Sequence, residues 1–116
     1  MATPDNRFSK NARLTQRGEF DRVFATPDQR SSDRYFTVLG RFCGEERARL
    51  GIIVAKRHIA RAHERNRVKR VVRESFRQYR FKKLLDLVVL ARASAQTATN
   101  DELQRSLARH WKHIQS

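Results

Sequence analysis

"ERNRVKRVVRESFR" (residues 64–77) places six basic side chains among fourteen residues, against two acids, Glu64 and Glu74. On a wheel at about 100° per residue, Val68, Val71, Val72, Ser75, Phe76 and Tyr79 share one arc. Arg65, Lys69, Arg73, Arg77 and Arg80 share the adjacent arc, which Asn66 and Arg70 continue. Arg67 falls farther round, beside Glu74. The pattern predicts a helix over roughly residues 60–80 whose apolar face docks on a sheet and whose cationic flank faces away. Arg65, Lys69, Arg73 and Arg77 are four apart and form a ridge about 18 Å long at 1.5 Å per residue. Like charges at i,i+4 cost an isolated helix a few tenths of a kcal/mol per pair. A helix that accepts several such pairs implies an anionic ligand that offsets them. Guanidinium forks match phosphate oxygens and stack on bases, and Asn66 adds both a donor and an acceptor. The bland alternative is a solvated basic surface; the sharp segregation of valines from cations argues against it.

The rest of the composition supports a polyanion partner. The chain has 116 residues, a net charge of +14 and 39% hydrophobic residues. One domain is expected, burying roughly 65% of its unfolded surface. Residues 56–83 carry twelve Lys/Arg and two acids, and the other 88 residues carry fourteen and ten, so the charge is concentrated in one element and its flanks. That distribution is the footprint of a nucleic-acid surface rather than of a generic solubility charge. No apolar run approaches the ~18 residues of a membrane span, and "MATPDNRFSK" (1–10) lacks the apolar stretch of a secretory signal. The single cysteine, Cys43, cannot form an internal disulfide, which fits a reducing compartment. A cytoplasmic protein with no membrane role is expected.

Outward from the basic helix, residues 1–12 read as a flexible arm and 13–116 as a single RNA-binding domain. "LTQRGEFDRVF" (14–24) predicts a short helix capped by Thr15, with Phe20, Val23 and Phe24 on one face and Pro27 beyond its end. "RYFTVLGRFC" (34–43) and "RARLGIIVAK" (47–56) predict two strands joined as a β-hairpin. Leu50, Ile52 and Val54 on one face and Ile53 and Ala55 on the other place the second strand centrally in the sheet, with Gly51 offering a close backbone approach. "LDLVVLA" (85–91) is a third strand. Thr99 or Asn100 caps a last helix with Asp101 and Glu102 in its first turn and Leu103, Leu107, Trp111 and Ile114 as its apolar stripe. The fold class is α+β: a small α/β sandwich of order α-β-β-α-β-α, with one extra strand allowed before residue 35.

"AHERNRVKRVVRESFR" (62–77) strongly resembles the signature helix of the protein subunit of bacterial ribonuclease P, in particular its proteobacterial form. The hallmark Arg-Asn-Arg step, the Lys-Arg pair and the further Arg stand here as Arg65-Asn66-Arg67, Lys69-Arg70 and Arg73. "ARLTQRGEFDRVF" (12–24), "RLGIIVAKR" (49–57) and "DLVVLAR" (86–92) resemble further family segments in the right order, so the likeness covers most of the chain. It departs at "KRHIA" (56–60), where His58 and Ile59 replace smaller or more polar residues, and at "RFKKLL" (80–85), which lacks a proline.

The resemblance implies a left-handed β-α-β crossover, where the general rule predicts a right-handed one. It implies that ribonuclease P RNA is the partner and that this RNA removes the 5′ leader of precursor tRNA with Mg²⁺ and water, while the protein binds RNA and leader. Carried over by position, Arg65, Asn66, Arg67, Lys69, Arg70 and Arg73, with Arg77 on the same ridge, contact the RNA subunit; Arg67 is alternatively a partner of Glu74 or a brace of the fold. Phe20 and Phe24 are expected in a leader-binding cleft by stacking on bases, at ~1–3 kcal/mol per base, although their shared face with Val23 puts at least one in the core. Phe36 is a further cleft candidate, and Lys56 and Arg57 are placed to hold leader phosphates.

The residue inventory suits a protein that does no chemistry itself. The twelve acids are scattered, with no two-metal carboxylate cluster and no Ser-His-Asp order. His110 and His113 share a helix face at i,i+3 but lack a third ligand, so no metal site is expected. Cys43 is read as a small strand residue. The main rival is a ribosomal-type structural RNA-binding protein with no part in a reaction. A DNA-binding helix-turn-helix would need a helix just upstream of residue 60, where "LGIIVA" (50–55) is a strand, so no DNA partner is expected.

Overall fold

The computed structural model describes residues 17–42, 48–81 and 85–115. The arm at 1–12, the Thr15 cap and Cys43 lie outside them. The elements are α1 (Arg17–Ala25), β1 (Gln29–Ser32), β2 (Phe36–Phe42), β3 (Arg49–Ile53), α2 (Ala62–Gln78), β4 (Leu85–Ala91), a 3₁₀ turn (Ala93–Gln96) and α3 (Asn100–Gln115). The extra strand is β1, so the order becomes α-β-β-β-α-β-α.

The sheet runs β1-β2-β4-β3. β2 is antiparallel to both β1 and β4, and β3 is parallel to β4. The expected hairpin between residues 34–43 and 47–56 is therefore not formed: β4 separates the two strands. The actual hairpin is β1–β2, whose turn is tied by Asp33, with Oδ1 accepting from the backbone N–H of Tyr35 at 2.8 Å and of Phe36 at 2.9 Å. The central place falls to β4 because six of its seven residues are buried, as expected of a strand covered on both faces. β3, expected at the centre, is an edge strand. Asp86 is tolerated inside β4 because Arg49 on β3 grips its carboxylate with Nε and Nη2, both at 2.8 Å.

β3, α2 and β4 form one β-α-β crossover that places α2 over the sheet. Val68, Val71, Val72 and Phe76 are buried there, at ~1.5–3 kcal/mol of burial each. α3 packs beside α2 on the same face and buries Leu103, Leu107, Trp111 and Ile114. Thr99 is the cap: its hydroxyl accepts from the Glu102 N–H at 3.1 Å, while Glu102 Oε1 accepts from the Thr99 N–H at 2.9 Å, a reciprocal capping box. The two helices run side by side in the same direction, since Arg67 meets Asn100 near their starts and Ser75 accepts from Trp111 Nε1 at 2.8 Å farther along. A close approach is found at Gly40, where a Cβ would lie 3.1 Å from Leu87 and 3.3 Å from Ile114.

On the opposite face, α1 covers only part of the sheet. Val23, Leu39 and Val88 are buried under it, with Phe20, Ile53 and Leu90 packed around them.

Candidate nucleic-acid interface

On α2, the apolar face fixes which side chains look outward. Asn66, Arg70, Arg73 and Arg77 are exposed and, with Glu74, line an open depression of about 380 Å³. Lys69 is half-buried. The two arginines flanking Asn66 are turned back into the protein. Arg65 Nη1 donates to the carbonyls of Ala60 at 2.7 Å and Ile59 at 3.1 Å, clamping the turn that leads into the helix. Arg67 donates to Asn100 Oδ1 at 2.8 Å and to the Gln96 carbonyl at 3.1 Å, and reaches Glu64 Oε2 at 3.2 Å. It does not pair with Glu74. Its guanidinium joins α2 to the 3₁₀ turn and the start of α3, so of the alternatives in the sequence the brace is what the structure forms. The outward cationic row thus runs Asn66, Arg70, Arg73, Arg77, one step round from the ridge drawn through Arg65 and Lys69.

Across the sheet, beyond the cover of α1, lies a pocket of about 260 Å³. Thr37, Ile53 and Leu90 line it together with Arg57, His58 and Arg92. Phe20 is half-buried against the Val23–Leu39–Val88 cluster that Ile53 and Leu90 also flank, but it is not itself among the residues lining the pocket. Phe24 is 42% exposed. Lys56 and Arg57 are exposed in the turn after β3. Phe36 is a correction: it is fully buried on the other face of the sheet, edge-on to the His110 ring with centroids 6.5 Å apart. Side chains alternate along a strand, so the cleft-facing residues of β2 are its neighbours Thr37 and Leu39, whose partners Leu90 and Val88 line the same side.

One polar cluster escaped the sequence reading. Ser31 Oγ lies 2.6 Å from His110 Nδ1, His110 Nε2 lies 3.2 Å from Asp33 Oδ2, and the Ser106 hydroxyl donates to Asp33. Burial pushes the Asp33 carboxyl up, but the hydrogen bonds from Ser106, Phe36 and Tyr35 outweigh it and hold the pKa down at about 2. Burial lowers the His110 pKa, opposed by the charge of Asp33. Although the residue types are Ser, His and Asp, His110 is only 3% exposed and the set ties α3 to β1 and its turn. His113 is exposed and takes no part. Among the described residues, no group of three or more His, Cys, Asp or Glu side chains could hold a metal ion, and no helix is long and apolar enough to cross a membrane.

An exposed guanidinium row on one face and an apolar pocket with a cationic rim on the other define a small basic nucleic-acid-binding domain of the α+β class. The family comparison makes this specific: the model of the ribonuclease P protein family matches residues 8–115, and the chain belongs to that family, the protein subunits of the endoribonuclease ribonucleoprotein that processes tRNA 5′ ends. The ribonuclease P protein component of Nitrosococcus oceani is 41% identical over 107 residues, covering 90% of this chain and 87% of that protein. That of Pectobacterium atrosepticum is 39% identical over 106 residues, covering 90% and 88%. Among solved structures, the ribonuclease P protein of Staphylococcus aureus superposes with a TM-score of 0.81 at 27% identity, covering 90% of this chain and 98% of that one. That of Thermotoga maritima gives 0.78 at 31% identity, covering 90% and 98%. Membership makes ribonuclease P RNA the partner.

Proposed function

We propose that the two faces divide the work: the outward row of α2 docks the RNA subunit, and the pocket beside α1 takes the 5′ leader of precursor tRNA. The observation that carries this reading is the placement of the two surfaces on opposite faces of one sheet, so that both can be engaged at once. The side chains of Asn66, Arg70, Arg73 and Arg77 stand exposed on the outer face. Arg65 and Arg67 shape this surface from behind. In the pocket, Ile53 and Leu90 offer an apolar floor for a base, and Arg57 and Arg92 charge for its phosphates, while Phe20 flanks the same apolar cluster. Lys56 extends that rim.

The described residues offer no carboxylate set for Mg²⁺. The reading assigns Mg²⁺ and the hydrolytic step to the RNA subunit and the substrate, with the protein orienting the leader and screening phosphate charge. The proposed setting is the cytoplasm.

The test is cleavage of 5′-labelled precursor tRNA at low, near-physiological Mg²⁺, with ribonuclease P RNA, with the protein, and with both. Efficient leader release by the mixture alone is the expected result. Binding of the RNA without any change in rate would overturn it in favour of a purely structural RNA-binding role.

A further inference from the structure

The charge on α3 has no part in the reading so far. Burial of Leu103, Ser106, Leu107, His110, Trp111 and Ile114 fixes the orientation of this helix. Its exposed side then carries Arg105, Arg109 and Lys112 at i, i+4 and i+7, around a small exposed residue, Ala108. The two acids of α3 are confined to its first turn, and Glu102 is engaged there by Thr99 and by the Tyr35 hydroxyl at 3.1 Å. Favourable interaction with the negative helix end accounts for Lys112 in the last turn. It does not account for Arg105, which lies near the positive end; Arg109, still largely exposed, reaches Asp33 Oδ2 only at 3.7 Å, and the Arg105–Arg109 like-charge pair remains.

Position decides what this stripe can meet. α3 lies parallel to α2 in the same layer, and packed helices sit 8–10 Å apart. The stripe extends about 10 Å along its helix at 1.5 Å per residue. It faces away from the sheet, on the side opposite the α1 pocket, and so cannot share a ligand with that pocket. The bonds from Arg67 to Asn100, Trp111 to Ser75 and Ser106 to Asp33 hold α3 in place before any partner arrives.

We propose that the exposed face of α3, built on Arg105, Arg109 and Lys112, is a second contact for the phosphodiester backbone of the RNA subunit, engaged together with the outward row of α2. A rigid pair of parallel cationic rows suits an RNA helix, which proteins contact mainly through its shape, phosphates and 2′-hydroxyls. Arg34 stands at the margin of this surface, over the Tyr35 ring at 5.8 Å.

The inference rests on RNA-subunit binding through α2, and the test separates the two. The dissociation constant for ribonuclease P RNA is measured against salt for the wild type, for Arg70→Ala/Arg77→Ala, for Arg105→Ala/Arg109→Ala/Lys112→Ala, and for Ala108→Glu. Circular dichroism melts check that each variant is folded. The α3 triple variant is expected to flatten the slope of log K against log[salt] by about 2.7, at 0.9 per phosphate contact, and to bind at least about tenfold more weakly at physiological salt. Ala108→Glu, which removes no existing contact, is expected to weaken binding in the same direction. Wild-type slope and affinity in both α3 variants, with a loss in the α2 variant, would overturn the α3 contact and leave the α2 reading standing. No binding by the wild type would overturn both. A loss confined to precursor tRNA affinity, with RNA-subunit binding intact, would overturn the assignment of the face to the RNA subunit.

Discussion

Replacing Arg67 by alanine should damage the fold more than it damages the phosphate contacts. Arg67 is 27% exposed in its side chain. It donates at 2.8 and 3.1 Å to two neutral acceptors on the segment leading into α3, Asn100 Oδ1 and the Gln96 carbonyl. Hydrogen bonds to charged groups are worth about 1.5–3 kcal/mol each when shielded. Partial exposure lets water replace part of that, so a total of about 2–3 kcal/mol is expected. For a domain of this size, each kcal/mol moves the melting temperature by roughly 4 °C, so Arg67→Ala should melt about 8–12 °C below the wild type. Arg67→Lys should recover little of this, because an ammonium cannot span the same acceptors. Arg70→Ala, at an exposed position, should melt within about 2 °C of the wild type, since such substitutions stay near ±0.5 kcal/mol, and should lower the salt slope by about 0.9. The assays are thermal unfolding by circular dichroism and salt-dependent binding to ribonuclease P RNA. If Arg67→Ala melts like the wild type and flattens the slope as Arg70→Ala does, Arg67 is an RNA contact and the bracing argument is wrong.

Phe36→Ala should cost ~3–5 kcal/mol through the cavity it leaves, and urea unfolding should show this; unchanged stability with weaker leader binding would restore Phe36 to the cleft. Phe20→Ala should weaken binding of precursor tRNA but not of mature tRNA, and equal losses for both would assign Phe20 to packing alone. Gly40→Ala should destabilise by ~1–3 kcal/mol, because its methyl would meet Leu87 and Ile114; a neutral result would mean that α3 can shift outward. Acid should loosen the attachment of α3 in two stages. Both native pKa values are depressed, so the unfolded state binds more protons and stability falls as pH falls. The His110 contribution begins to fade below 6.5, and the Asp33 contribution is lost between 3.8 and about 2. The Asp33 part is about 2 kcal/mol at 1.36 kcal/mol per pKa unit, and Asp33→Asn should abolish that lower stage of a stability–pH curve.

The two long helices were legible because their patterns are local. The valine arc of α2 and the Leu103–Leu107–Trp111–Ile114 stripe follow from a period of 3.6 and need no knowledge of neighbours. Strand pairing was not legible. Chain proximity favoured a hairpin between β2 and β3, whereas burial on both faces drew the later, more apolar β4 between them. The slip from Thr37 to Phe36 has the same origin: a period of two makes neighbouring residues opposites, and an aromatic attracts attention wherever it points. The brace was among the alternatives that Arg67's place on the wheel left open, but the bracing role of Arg65 was hidden because its acceptors are backbone carbonyls, which every sequence has. The tie among Ser31, Asp33, Ser106 and His110 spans over seventy residues and has no local signature. Asp86 did leave one: an acid in the middle of "LDLVVLA" needs a buried cation, and Arg49 supplies it.

The central strand is also the last to be made. β3 pairs with β4 and β2 has β4 as its second partner, so until residues 85–91 leave the ribosome the sheet of the described strands is limited to the short β1–β2 hairpin. The first 84 residues carry 22 basic and nine acidic side chains, and α2 has no completed sheet to lie on. A nascent chain at that stage is an unfolded polycation emerging from a ribonucleoprotein machine, able to bind any RNA nearby and none of it specifically. Closure of the sheet turns that diffuse attraction into a shaped surface. In the growing chain, selectivity for the cognate RNA therefore arrives abruptly, with the strand that closes the sheet.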